Sequence, residues 1–179
     1  MLPILLALAV IAILFIVLLV GQPDEFRVAR SAMIAAPPEQ VFPHVNTLRS
    51  WEAWSPWAKL DPNARNSFEG PDAGVGAAMA WDGNKKVGAG RMTIVESRAS
   101  NWIKFKLEFL RPFKATNFAE FTFTPEGQQT TVNWSMSGTN NLAGKVFGLF
   151  VNCDKMIGRD FEKGLASLKA VVEGKAKAA

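Results

Sequence analysis

The chain has 179 residues, 20 Lys+Arg against 16 Asp+Glu, a formal net charge of +4 and a single cysteine. The positive balance is mild and scattered, which argues against nucleic-acid binding through a basic patch. One cysteine, Cys153, rules out an intramolecular disulfide framework.

Residues 1–20 (MLPILLALAVIAILFIVLLV) contain no charged residue. At ~1.5 Å per residue such a helix spans about 30 Å, the thickness of a bilayer's hydrocarbon core. In lipid every backbone polar group must be bonded internally, so the segment has to be helical. A cleaved secretory signal is the competing reading. It would carry a basic start, a shorter apolar core and small residues before a cleavage point; no Lys or Arg precedes the run, and its exit, Leu18-Leu19-Val20-Gly21-Gln22-Pro23, has no A-x-A pattern. The expectation is a single-pass transmembrane anchor at 1–21, a linker at 22–25, one domain at 26–173 and a basic tail at 174–179. Arg27 and Arg30 follow the apolar run, which by the positive-inside rule favours a cytoplasmic domain.

Phe26 to Ile34 alternates as a strand with Phe26, Val28, Ala32 and Ile34 inward. Pro37 and Pro38 end it, and Pro38-Glu39 opens a helix carrying Val41, Phe42, Val45 and Leu48 at helical spacing. A short helical stretch from Ser50 to Trp57 places Trp51 and Trp54 on one face. From Asn63 the period changes to two. Met79 and Trp81 lead into Asp82-Gly83-Asn84, read as a tight hairpin turn with Gly83 supplying the turn conformation. Val87 to Ser97 is the next strand, and Ser100-Asn101 a turn. Ile103, Phe105, Leu107 and Phe109 alternate with Lys104, Lys106 and Glu108, the clearest half-buried strand in the chain. After Arg111-Pro112, Ala119, Phe121 and Phe123 form a further strand. Pro125-Glu126-Gly127 turns, and Val132, Trp134 and Met136 follow. Val146, Phe150, Cys153, Ile157, Phe161, Leu165, Leu168 and Val172 then define one long amphipathic helix covering the sheet, with a bend allowed near Gly148.

The inventory of reactive groups is thin: no tyrosine, one histidine and one cysteine. His44 and Cys153 cannot close a tetrahedral zinc site, and no cofactor is implied. His44 reads as a surface or partly packed residue, Cys153 as a small core residue. Gly74, Gly76, Gly88 and Gly90 lack the third glycine of a dinucleotide loop and read as turns or bulges. The positive signal is aromatic, with 13 Phe and 6 Trp concentrated on inward strand positions and in residues 51–57.

Three segments, 34–42 (IAAPPEQVF), 51–57 (WEAWSPW) and 158–168 (GRDFEKGLASL), resemble the START-like (SRPBCC) superfamily, and within it the bacterial polyketide cyclase/dehydrase-like group. The resemblance covers about residues 25–173. It implies an α+β helix-grip fold: a bent antiparallel sheet of about seven strands around a long C-terminal helix, with a hydrophobic pocket between them. Members bind lipids, sterols, polyketides or plant hormones, and some are cyclases.

The resulting expectation is a membrane-tethered binding module for a hydrophobic small molecule or lipid. The pocket candidates are Met79, Trp81, Met92, Ile94, Phe105, Leu107, Phe121, Phe123, Trp134 and Met136 on strands, with Ile157, Phe161 and Leu165 on the helix. An enzyme acting on a polyketide or aromatic substrate is the alternative, with Asn133, Asp82, Glu69 or His44 as its polar groups. A non-ligand-binding membrane scaffold with a filled core is the third.

Overall fold

In the computed structural model, which describes residues 1–140 and 142–174, the apolar N-terminal run is one helix, α1 (Leu2–Val20). It is apolar all round and exposed along nearly its whole length. Residues 21–24 lead into β1 (Glu25–Ile34), after which Pro38 starts α2 (Pro38–Asn46). A 3-10 turn at Leu48–Ser50 and the single-turn α3 (Trp51–Trp54) follow. Six strands come next: β2 (Arg65–Glu69), β3 (Ala78–Asp82), β4 (Ala89–Arg98), β5 (Trp102–Arg111), β6 (Ala115–Glu126) and β7 (Gln129–Thr139). The chain ends in α4 (Leu142–Phe150) and α5 (Cys153–Val172).

The strands make one antiparallel sheet in the order β1-β7-β6-β5-β4-β3-β2. Pairing register carries the inward residues into rows. Val28, Met136, Ala119, Phe105 and Ile94 lie opposite one another across five strands, and none is more than 8% exposed. Register shifts in β4 at Ala89/Gly90 and Ile94/Glu96 bend the sheet. At the first, the Trp81 ring lies over Gly90, where a Cβ would come within 2.5 Å of it, and meets Phe109 edge-on at 5.9 Å. The concave face closes on α5, whose inward positions are Gly158, Phe161, Gly164, Leu165 and Leu168. This is the helix-grip architecture.

Four local expectations are corrected. The expected single C-terminal helix is two, because Asn152 caps α5 by accepting the Lys155 N–H at 2.9 Å. Cys153, the first residue of α5, is therefore half-exposed rather than in the core. The β3–β4 connection runs from Gly83 to Gly88, and Gly88 supplies the positive φ of 71°. Asn84 organises that loop, accepting from the Lys86 and Val87 N–H groups. Finally, β6 continues through Pro125 and Glu126 to a turn at Gly127, whose φ is 64°. Of the expected basic tail only Gly174 falls among the described residues.

Candidate functional site

The sheet and α5 meet in an aromatic stack. Phe161 lies flat on Trp134, with ring centroids 4.1 Å apart and planes within 8°. Trp134 in turn stacks on Phe121 at 4.8 Å. Residue 164 has to be small for this: a Cβ there would stand 2.7 Å from the Trp134 ring and 3.0 Å from Pro56. Trp51 and Trp54 present ring edges to the same stack, Trp54 to Trp134 at 5.7 Å and Trp51 to Phe121 at 5.8 Å. Trp57 adds a third edge on Trp134 at 5.7 Å.

The end of α2 sets two of these tryptophans. The last carbonyls of a helix lack helical partners, and here Trp51 Nε1 donates to the Val45 carbonyl at 2.9 Å and Trp54 Nε1 to that of His44 at 3.0 Å. The aromatic cluster of residues 51–57 is thus packed into the domain. Trp134 is different. It is 2% exposed, yet among the described residues its Nε1 finds no acceptor, although buried indole N–H groups ordinarily do.

Of the thirteen apolar candidates, Ile94, Phe105, Phe121, Phe123, Trp134, Phe161 and Leu165 are buried to 2% exposure or less. Met92 and Met136 are buried as well, while Met79, Trp81, Leu107 and Ile157 are half-buried against the same cluster. In this structure they pack into one hydrophobic cluster, with Trp134 and Phe161 in contact between β7 and α5 and Trp81 over Gly90 at the β3–β4 end of the sheet. A surface cavity of about 40 Å³ beside Leu48, Arg49 and Phe68, and an open groove of about 450 Å³ along Phe109, Leu110, Lys114 and Thr139, are lined by none of the thirteen.

The four polar candidates are not brought together. Asn133 donates to the Ser31 hydroxyl at 2.8 Å on the face away from Trp134. Asp82 pairs with Arg111 at one end of the sheet. Glu69 pairs with Arg91 at 3.0 Å, and that guanidinium lowers its carboxyl pKa below the ordinary value. His44 sits on α2, half-buried. Among the described residues, no three His, Cys, Asp or Glu side chains gather as a metal site.

Arg30 is the residue that sequence reasoning passed over. It stands on the inward row of β1 between Val28 and Ala32, and its guanidinium pairs with Asp154 at 3.0 Å and Glu162 at 2.8 Å on α5. It raises its own already high pKa through these partners and lowers that of Asp154. A charged residue in an inward register needs an opposite charge from the covering element, and that was the available signal. At the far end of α5, Lys169 donates to the Met33 carbonyl at 2.6 Å, and Glu173 accepts the Ala35 N–H at 2.8 Å. β1 therefore ties α5 down at both ends.

Comparison with known proteins agrees with this geometry. The Aha1 dimer from Colwellia psychrerythraea is similar at a TM-score of 0.60 and 15% identity, over 84% of this chain and 98% of that one. Major latex-like protein 151 from Panax ginseng is similar at 0.56 and 14%, over 83% and 98%, and Ara h 8.0201 at 0.54 and 9%, over 87% and 99%. At such identities the likeness is one of fold. No curated protein matches the chain significantly. Residues 25–173 match the family described as polyketide cyclase / dehydrase and lipid transport, a hydrophobic-ligand-binding fold. With most of its length inside that match, the chain belongs to the polyketide cyclase/dehydrase and lipid-transport family.

Proposed function

We propose that the protein is a membrane-tethered binding module that takes a hydrophobic small molecule or lipid between its sheet and α5. The observation that carries this reading is the Trp134 Nε1 donor, buried in an aromatic interior with no acceptor among the described residues. A carbonyl or hydroxyl on an otherwise apolar ligand would satisfy it, and the surrounding rings would supply apolar contact. Uptake requires α5 to separate from Trp134, with the break at Val151–Asn152 as its hinge. In this reading residues 1–21 are the anchor, 22–25 the linker, 26–173 the binding domain and 174–179 a basic tail. The span is single-pass and the domain cytoplasmic, a side supported by Arg27 and Arg30 following the apolar run.

The filled interior favours a second reading, a membrane scaffold that binds no ligand. The enzyme reading draws no support from Asn133, Asp82, Glu69 and His44, which lie apart. Native mass spectrometry of the full chain after mild extraction separates the two. A co-purifying lipid or apolar molecule, lost or weakened in Trp134→Phe, supports the binding module. A clean apo mass that stays unchanged on adding lipid extract favours the scaffold and overturns the first reading.

A further inference from the structure

Strand register brings several exposed features to one end of the sheet. Glu25 opposes Thr139, Phe109 opposes Ala115, Arg111 opposes Ala89 and Ala89 opposes Asp82. The start of β1, the β5–β6 hairpin and the β3–β4 loop therefore share an end, and α4 begins there too. The hairpin carries Leu110 at 56% and Phe113 at 71% exposure, and Leu142 opens α4 at 69%. Large apolar side chains at a loop tip cost solvation without gaining packing, and grouped together they mark a contact surface. Between hairpin base and Thr139 runs the open groove of about 450 Å³. Lys85 and Lys86 on the neighbouring loop and Lys114 beside Phe113 pair with no carboxylate among the described residues, whereas Arg111 and Lys145 do, with Asp82 and Asp24. Glu25 also lies at this end.

The apolar helix leaves from the same place. Residues 21–24 are held against the start of α4: Asn140 donates its N–H to the Asp24 carbonyl at 2.7 Å and its amide to that of Pro23 at 3.0 Å. Three inter-strand steps separate β1 from β5, about 15 Å along the sheet. An apolar tip flanked by lysines, at that distance from an uncharged helix long enough to span a bilayer, has the make-up of an interfacial contact.

We infer that this end of the domain rests on an anionic lipid surface, with the β5–β6 hairpin dipping Phe113 below the headgroups and Lys85, Lys86 and Lys114 set against them. The inference rests on the anchor reading of α1. It is tested on the full chain, in a Cys153→Ser background, reconstituted in phosphatidylcholine–phosphatidylglycerol vesicles carrying nitroxide lipids. An environment-sensitive fluorophore is placed in turn at Phe113→Cys, at Ile11→Cys within α1, and at Val75→Cys on the opposite end of the sheet. Blue-shifted emission with strong lipid quenching at 11 and 113, and neither at 75, supports the contact. Quenching at 11 without quenching at 113 overturns it and leaves the anchor standing. Absence of quenching at 11 sinks the anchor and this inference together. Quenching at 113 should fall in pure phosphatidylcholine; an equal value there overturns the role of the lysines.

Discussion

The guanidinium of Arg30 occupies the space that a side chain at position 158 would need. Gly158 thus lets β1 reach across to Asp154 and Glu162 and clamp α5 to the sheet. Gly158→Ala should push the end of the Arg30 side chain off Asp154 and Glu162 and, with about 1 kcal/mol of helix propensity gained in return, destabilise the protein by no more than about 1 kcal/mol, read from urea unfolding. In an Arg30→Ala background the same change should cost clearly less. Equal costs in both backgrounds would mean that the glycine serves something other than the arginine.

The clamp also sets a pH dependence. Arg30 holds the Asp154 carboxyl below its usual pKa, so the folded state favours the charged form. That contribution is complete above the unfolded aspartate value of roughly 3.9 and is lost as pH falls through the lowered folded one. Arg30 stays charged throughout. Unfolding midpoints measured downward from neutral pH should fall less steeply in Asp154→Asn than in the parent. Parallel curves would remove Asp154 from the account.

Phe161 is 1% exposed and stacked on Trp134. Phe161→Ala should cost about 3–5 kcal/mol by the usual sum of transfer and cavity terms. A loss below about 1 kcal/mol, too small for a packed core aromatic, would show that the stack opens readily in solution.

Trp51→Phe keeps a ring but removes the donor to the Val45 carbonyl. Leaving that acceptor unpaired in the core should cost about 1–3 kcal/mol, with a loss of near-ultraviolet circular dichroism from the tryptophan cluster. An unchanged midpoint would mean that water reaches the carbonyl.

Deleting residues 1–20 should release a folded domain, since the sheet, α2, α3 and α5 complete a core without α1. Circular dichroism and size-exclusion chromatography check this. An aggregated or unfolded product would make the apolar helix part of the domain's own packing.

Period-two alternation made the sheet legible, because Ile103 and Phe105 against Lys104 and Lys106 leave only one face to bury. The break before α5 was not, since Val151 continues the apolar stripe and a single asparagine decides the cap. The positive φ falls at Gly88 rather than Gly83 in a loop whose Asn84 N–H donates to Asp61, 23 positions earlier, a contact that spacing does not show. Inward aromatics could be named from spacing, whereas their packing could not: whether they line a space or fill it depends on how closely α5 approaches. Gly164 permits the 4.1 Å approach of Phe161 to Trp134, and that distance has no signature in residue spacing.

The connection between α1 and β1 is four residues long. Fully stretched it reaches no more than about 14 Å, and the bonds from Asn140 shorten that further. On the proposed reading of α1 as an anchor, the domain would be confined to a thin layer over one leaflet and would not carry a ligand across the gap to a second membrane. Exchange would be a local affair, a molecule lifted from the leaflet beneath and returned to it or handed to a protein diffusing in the same plane. Encounters in that plane are set by surface density rather than by bulk concentration, so even a weakly held ligand would be met often.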